Sequence, residues 1–160
     1  MALTSVSIPE SVLERLSIEV KRLGLVLEEY LVDLALSDLD SQERSRELAK
    51  AARHALMAAK ERISSEDIRE AAKWLWVAAS LSIRAFSEWK EGRRLHTHGD
   101  LWNYAGRLVV ELGEWAHESW TMAEAMHVCY YTSLCPSGNL GEVARRVARL
   151  VEEIGRMVGG

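Results

Sequence analysis

From Ile68 to about Glu91 the chain carries two adjoining apolar stripes at helical spacing, and this segment limits the possible folds more than any other. Ile68, Ala72, Leu75, Ala79, Ile83 and Phe86 form one stripe, and Trp74, Ala78, Leu81 and Ala85 form the second beside it. A helix apolar over so much of its circumference needs neighbours on most sides, so it belongs at the centre of a bundle. Only two prolines interrupt a chain of 160 residues, a length that makes one domain with a real core.

The remaining elements are helical by the same reading. Pro9 opens a first helix with Val12, Leu16, Val20 and Leu23 in register, and Gly24 ends it. Leu27, Tyr30, Leu31 and Leu34 mark a short second helix, closing an N-terminal hairpin over residues 1–40. The main bundle then occupies residues 41–160. After the break at residues 37–41, a third helix runs from about Gln42 to Ile63. Ser64 and Ser65, with Glu66 and Asp67 behind them, read as the cap of the central helix. Gly92 stops that helix. Asp100 is placed to cap a fifth helix through Leu112, a sixth runs from near Glu114 to Leu134, and Cys135-Pro-Ser-Gly138 forms a break. The last helix has Leu140, Val143, Val147, Leu150, Val151, Ile154 and Val158 on a narrow seam suited to a neighbour in this chain or in a partner. The expected fold is therefore all-α, an up-and-down helical bundle with an N-terminal hairpin. Only residues 2–7 have the pattern of a strand.

Composition excludes several functions. No apolar run approaches the roughly 20 residues of a membrane span, and the N-terminus lacks the basic and apolar regions of a signal peptide, so a cytoplasmic protein is expected. The net charge of −4 argues against a protein that coats nucleic acid, although a local basic site is compatible with it. Fifteen arginines against five lysines suit a heat-adapted or GC-rich source. Cys129 and Cys135 have no partners at zinc-like spacing. On one continuous helix their Cα atoms would stand about 9 Å apart, beyond disulfide reach, and buried free thiols are expected.

The stretch Ala71-Ala-Lys-Trp-Leu-Trp-Val-Ala-Ala79, then Ile83-Arg-Ala85, then Thr97-His-Gly-Asp-Leu-Trp102, resembles the archaeal PaREP-type family. The later run Ala123-Glu-Ala-Met-His-Val-Cys-Tyr-Tyr131, with a Val-rich final helix, extends the resemblance over roughly residues 9–155. Cys129, Tyr130, Trp74 and Arg84 depart from the family's usual residues. The architecture is similar to the HEPN superfamily (higher eukaryotes and prokaryotes nucleotide-binding), helical bundles that are often dimeric and occur in RNases, toxins and nucleotidyltransferase partners. The resemblance implies an RNA- or nucleotide-associated module, a homodimer, and by extension a metal-independent RNase without a cofactor.

HEPN RNases place an Arg four to six residues before a His after the long central helix, and Arg93-Arg-Leu-His-Thr-His98 stands at that location. Arg93 can hold a phosphate with its planar fork of donors, and His98 can take a proton from a 2′-hydroxyl or return one to the leaving oxygen. Arg94, His96 and Lys90 enrich the same patch, where four Lys/Arg face two Glu between Arg84 and His98. The competing reading leaves Arg93 and Arg94 solvated, with His98 helping to cap the fifth helix.

His127 and Tyr131, four apart on one helical face, form a second candidate pair; a core histidine beside a packed tyrosine is the plainer alternative. Glu114-x-x-His117 and Glu124-x-x-His127 have the spacing of di-iron ligands. Ten residues apart on one helix, however, the two histidines point about 80° away from each other, so no metal is expected. The N-terminal strand and hairpin also resemble a ribbon-helix-helix DNA reader, but Leu3-Thr-Ser-Val-Ser7 has no basic residue to read bases. A non-catalytic protein that binds a partner protein through its apolar helical faces is the rival to the HEPN-like function.

Overall fold

The computed structural model describes residues 3–135 and 140–159. It contains α1 (Glu10–Leu23), α2 (Leu27–Ala35), α3 (Ser41–Ser64), α4 (Ile68–Glu91), α5 (His98–Ala105), α6 (Leu108–Leu112), α7 (Glu114–Thr132) and α8 (Leu140–Met157). The fold is an all-α bundle. Among the described residues none forms a strand, so the segment at residues 3–7, the one stretch with a strand pattern, runs without regular structure. No helix among them is long and apolar enough to cross a membrane.

The central position of α4 is borne out. From Ala71 to Glu88 every residue except Trp74 is buried, and the helix is in contact with α2, α3, α5, α7 and α8. Its most extensive partner is α3, because alanines line both helices: Ala49, Ala52, Ala55 and Ala59 on α3, and Ala71, Ala72, Ala78 and Ala79 on α4. The seam of α8 is satisfied within the chain, with Val147, Leu150, Val151 and Ile154 buried against α3, α4 and α7. The hairpin joins the bundle through α2, while α1 buries only Val20.

Several helix ends differ from the sequence reading. Asp67 caps α4 by accepting from the Glu70 backbone N–H at 3.4 Å. Ser64 and Ser65 instead donate back to the Lys60 and Arg62 carbonyls and finish α3. The fifth helix is interrupted after Ala105, giving α5 and the short α6. The expectation of free thiols is overturned. Helix α7 stops at Thr132, Ser133 takes a left-handed conformation (φ 61°), and the reversed chain brings the Cα atoms of Cys129 and Cys135 to 4.4 Å in a disulfide. The 9 Å separation assumed a helix that continued through Cys135. Residues 136–138 of the expected break lie outside the described residues.

Burying α4 almost completely forces its polar side chains to find partners inside the protein. Glu88 receives two hydrogen bonds from Arg44 of α3, from Nε at 2.9 Å and Nη2 at 2.8 Å, and Arg44 Nη1 donates to the Leu39 carbonyl at 2.6 Å. This planar fork fixes the register of α3 on α4 and anchors the α2–α3 turn. Removing one member leaves the other charged and buried, so Glu88→Ala is expected to lower unfolding free energy by about 3–5 kcal/mol in urea denaturation. Truncating the exposed Glu153 of the local Arg156 pair is expected to cost well under about 1 kcal/mol.

Candidate functional site

The α4–α5 loop is held from below by Arg84. Its Nη1 donates to the Leu95 carbonyl and its Nε to Ser80 Oγ at 3.3 Å, while Ser87 Oγ donates to the Arg93 carbonyl at 2.7 Å. Thr97 then caps α5, accepting from the Asp100 N–H at 3.0 Å. Asp100 accepts in return from the backbone N–H groups of His96 (3.0 Å) and Thr97 (3.1 Å). Burial acts against the Asp100 charge, but these donors outweigh it and hold the carboxyl below its ordinary range. Asp100 therefore serves as the third-position member of a capping box, and Thr97 is the cap. His98, as the first residue of α5, keeps its imidazole for contacts elsewhere.

Those contacts are with α7. His98 Nε2 lies 2.8 Å from Glu124 Oε2, and Glu124 Oε1 lies 3.8 Å from His127 Nδ1 one helical turn further on. The two imidazole centroids are 4.6 Å apart, and Trp76 of α4 meets His98 at 5.3 Å and His127 at 4.6 Å. Tyr131, one more turn along α7, stands 5.0 Å from His127. The two sequence candidates, His98 and the His127–Tyr131 pair, thus occupy one cluster.

Solvent reaches this cluster on one side. The side chains of His98 and Glu124 are 22% and 16% exposed, against 11% for His127. Burial lowers the His127 pKa, and neighbouring His98 acts in the same direction against the pull of Glu124, so the site favours the uncharged imidazole. Burial, seconded by Tyr130, pushes Tyr131 up to about 12. Although nearly half of Tyr131 is exposed, its hydroxyl donates inward to the Leu25 carbonyl and acts as a tether to the hairpin.

Beneath the cluster lies a wholly buried carboxylate that sequence reasoning did not single out. Glu29 of α2 accepts from the Val26 N–H at 2.9 Å, from Trp76 Nε1 at 3.1 Å and from Ser80 Oγ, and Arg84 Nη2 is 3.7 Å away. It therefore orients the tryptophan on which both histidines rest.

The other predicted residues, on the α4–α5 loop and the end of α4, have partners of their own. Arg93 is exposed, with its guanidinium 6.0 Å from the Tyr104 ring centroid. Arg94 pairs with Asp33 at 3.1 Å, exposed Lys90 faces Glu111 at 3.4 Å, and His96 is exposed. Among the described residues their contacts are separate from those of His98. Glu124 and His127 do converge as an acid and imidazole pair, but their third member is His98 from α5 rather than His117. The Glu-x-x-His spacing carried that signal, and only the fold supplied the partner.

Gly24 closes the cluster from the hairpin side. Its φ of +73° favours glycine, and a Cβ there would stand 3.0 Å from His98 Cβ and 3.6 Å from His98 Nδ1. Gly24→Ala is expected to cost about 1–2 kcal/mol from the left-handed backbone alone. It should also shift the His98 imidazole resonances in NMR, whereas an alanine at Gly141, where a Cβ meets nothing within 4 Å, should leave them in place.

No curated protein and no solved structure matches the chain. The model of the archaeal PaREP1/PaREP8 family matches residues 47–156, a span that holds α4, the α4–α5 loop and all three members of the His98–Glu124–His127 cluster. The chain belongs to the archaeal PaREP1/PaREP8 family.

Proposed function

We propose that the protein is an HEPN-like RNA- or nucleotide-associated module in which His98 is the reacting group. The observation that carries this reading is the 2.8 Å contact between His98 Nε2 and Glu124, on the exposed side of an otherwise buried cluster. A carboxylate on one ring nitrogen fixes tautomer and orientation, leaving the other nitrogen as a proton acceptor. With Nε2–H donated to Glu124, Nδ1 is the free base, on the side of the ring that borders Gly24.

On an RNA strand, Nδ1 takes the 2′-hydroxyl proton as the 2′-oxygen attacks phosphorus. The bond from phosphorus to the 5′-oxygen breaks, and the imidazolium returns its proton to that leaving oxygen. The products are a 2′,3′-cyclic phosphate and a free 5′-hydroxyl. Arg93, exposed on the same loop, supplies the phosphate contact, with Arg94, His96 and Lys90 as the surrounding basic rim. In this reading two copies associate and bring their loops to one cleft.

A second reading rests on a different observation. Val12, Leu13 and Ile18 of α1 are all at least 40% exposed, which suits a protein that binds a partner protein without catalysis.

Purified protein incubated with end-labelled single-stranded RNA in EDTA separates the two. Cleavage that falls by about 10²–10⁴ in His98→Ala and drops in Arg93→Ala and Glu124→Gln is the expected result. Binding without cleavage would retire the catalytic role of His98. Folded protein that neither binds nor cleaves would favour the partner-protein reading.

A further inference from the structure

The geometry points to a divalent transition-metal site built from His98, Glu124 and His127. One ring nitrogen from each histidine and one carboxylate oxygen lie within 4.8 Å of one another. A tetrahedral zinc ion holds its ligand atoms about 3.4 Å apart, given metal–ligand distances of roughly 2.0–2.1 Å. The two carboxylate oxygens of Glu124 lie 2.8 Å from His98 Nε2 and 3.8 Å from His127 Nδ1, so the carboxylate stands between the two imidazoles at distances on the scale of that figure.

Three features besides proximity support the assignment. All the ligands stand on helices, His98 on the first turn of α5 and the other two on successive turns of α7, so little ordering remains when an ion binds. His127 is 92% buried, and its Nε2 makes no well-formed hydrogen bond among the described residues. A buried imidazole beside a second imidazole and a carboxylate has the donor character of a metal site. Trp76 packs against both rings and is itself fixed by Glu29, an outer support that keeps the ligands in position.

Two imidazoles and one carboxylate suit zinc and its neighbours in the transition series, and suit magnesium or calcium poorly. Three protein ligands leave a fourth position for water or for a ligand oxygen, the open coordination of reactive rather than purely structural sites.

The inference stands without the RNA reading but bears on it. An ion on His98 Nε2 moves the ring proton to Nδ1, which can then no longer take a proton from a 2′-hydroxyl. Metal binding and the proposed proton transfer thus exclude each other, and zinc added after the chelator is removed would inhibit the cleavage.

The test uses Co²⁺ titrated into EDTA-stripped protein with its disulfide intact, followed by visible ligand-field absorption. One equivalent with the intense bands of a low-coordinate site is expected, and Zn²⁺ should displace it. Glu124→Gln and His127→Gln should weaken binding by more than the roughly 10–100-fold typical of losing an outer-shell support. His117→Gln should leave it unchanged. Variants that lose helical circular dichroism are replaced by Zn²⁺ titration of the native protein with imidazole ¹⁵N NMR, where His98 and His127 should both shift and His117 should not. Absence of stoichiometric binding, equal binding by the folded Glu124 and His127 variants, or shifts confined to other histidines would overturn the site. None of these readouts involves RNA, so failure of the RNA reading leaves the metal result intact, and the reverse also holds.

Discussion

The buried carboxylate of Glu29 holds together what the rest of the structure would otherwise leave separate. It is fully enclosed, yet it accepts from the start of its own helix, from Trp76 and Ser80 of the central helix, and lies beside Arg84. A charge taken out of water is tolerated only when such donors surround it. The consequence is directional. Ser80 passes the contact to Arg84, and Arg84 holds the Leu95 carbonyl in the loop that delivers His98. Hairpin, central helix and loop are thus fixed by one polar chain through an otherwise alanine-rich interior. Arg44 and Glu88 do the same one turn further along α4, where they lock α3 and the α2–α3 turn.

Periodicity made most of the fold legible, because burial of a helix leaves its mark on every third or fourth residue. The doubled stripe on α4 placed it at the centre, and the seam on α8 announced a close neighbour, which proved to be α3, α4 and α7 of the same chain. Helix ends were read less well because several residues of similar chemistry compete for one cap. Ser64, Ser65 and Asp67 all have capping side chains, and only the turn through Glu66, with φ at 59°, decides that Asp67 takes the role. The disulfide was missed for a related reason. A single left-handed residue at Ser133 converts six positions of sequence separation from an open span into a 4.4 Å approach.

The candidate site was legible in pieces. His98, His127 and Tyr131 each carried a local signal, and Glu124-x-x-His127 had ligand spacing. What was not readable was their convergence, since α5 and α7 meet through the packing of both against α4 rather than through any local motif. Glu29 gave no signal of its own, because a glutamate in the first turn of a short helix ordinarily faces water and favours the helix dipole. Its enclosure follows from Trp76 and Arg84, two large polar-tipped side chains on a helix that has no solvent face to offer them.

The same enclosure separates the chemistry of the loop into two levels. Arg93, His96 and Lys90 remain at the surface, where solvent and salt screen their charges. His98 sits deeper, against an aromatic floor and a carboxylate, where the dielectric is lower and a single proton or a single cation changes the balance of the whole cluster. Because its Nε2 faces Glu124 while Gly24 borders Nδ1, the ring has one nitrogen committed to the carboxylate and one beside the hairpin turn. A proton on Nε2 leaves a base at Nδ1; a metal ion on Nε2 removes it. The hairpin that contributes Gly24, Leu25 and Glu29 therefore belongs to the site as much as to the fold, since it borders Nδ1 of His98, tethers Tyr131 and supports the tryptophan beneath both histidines.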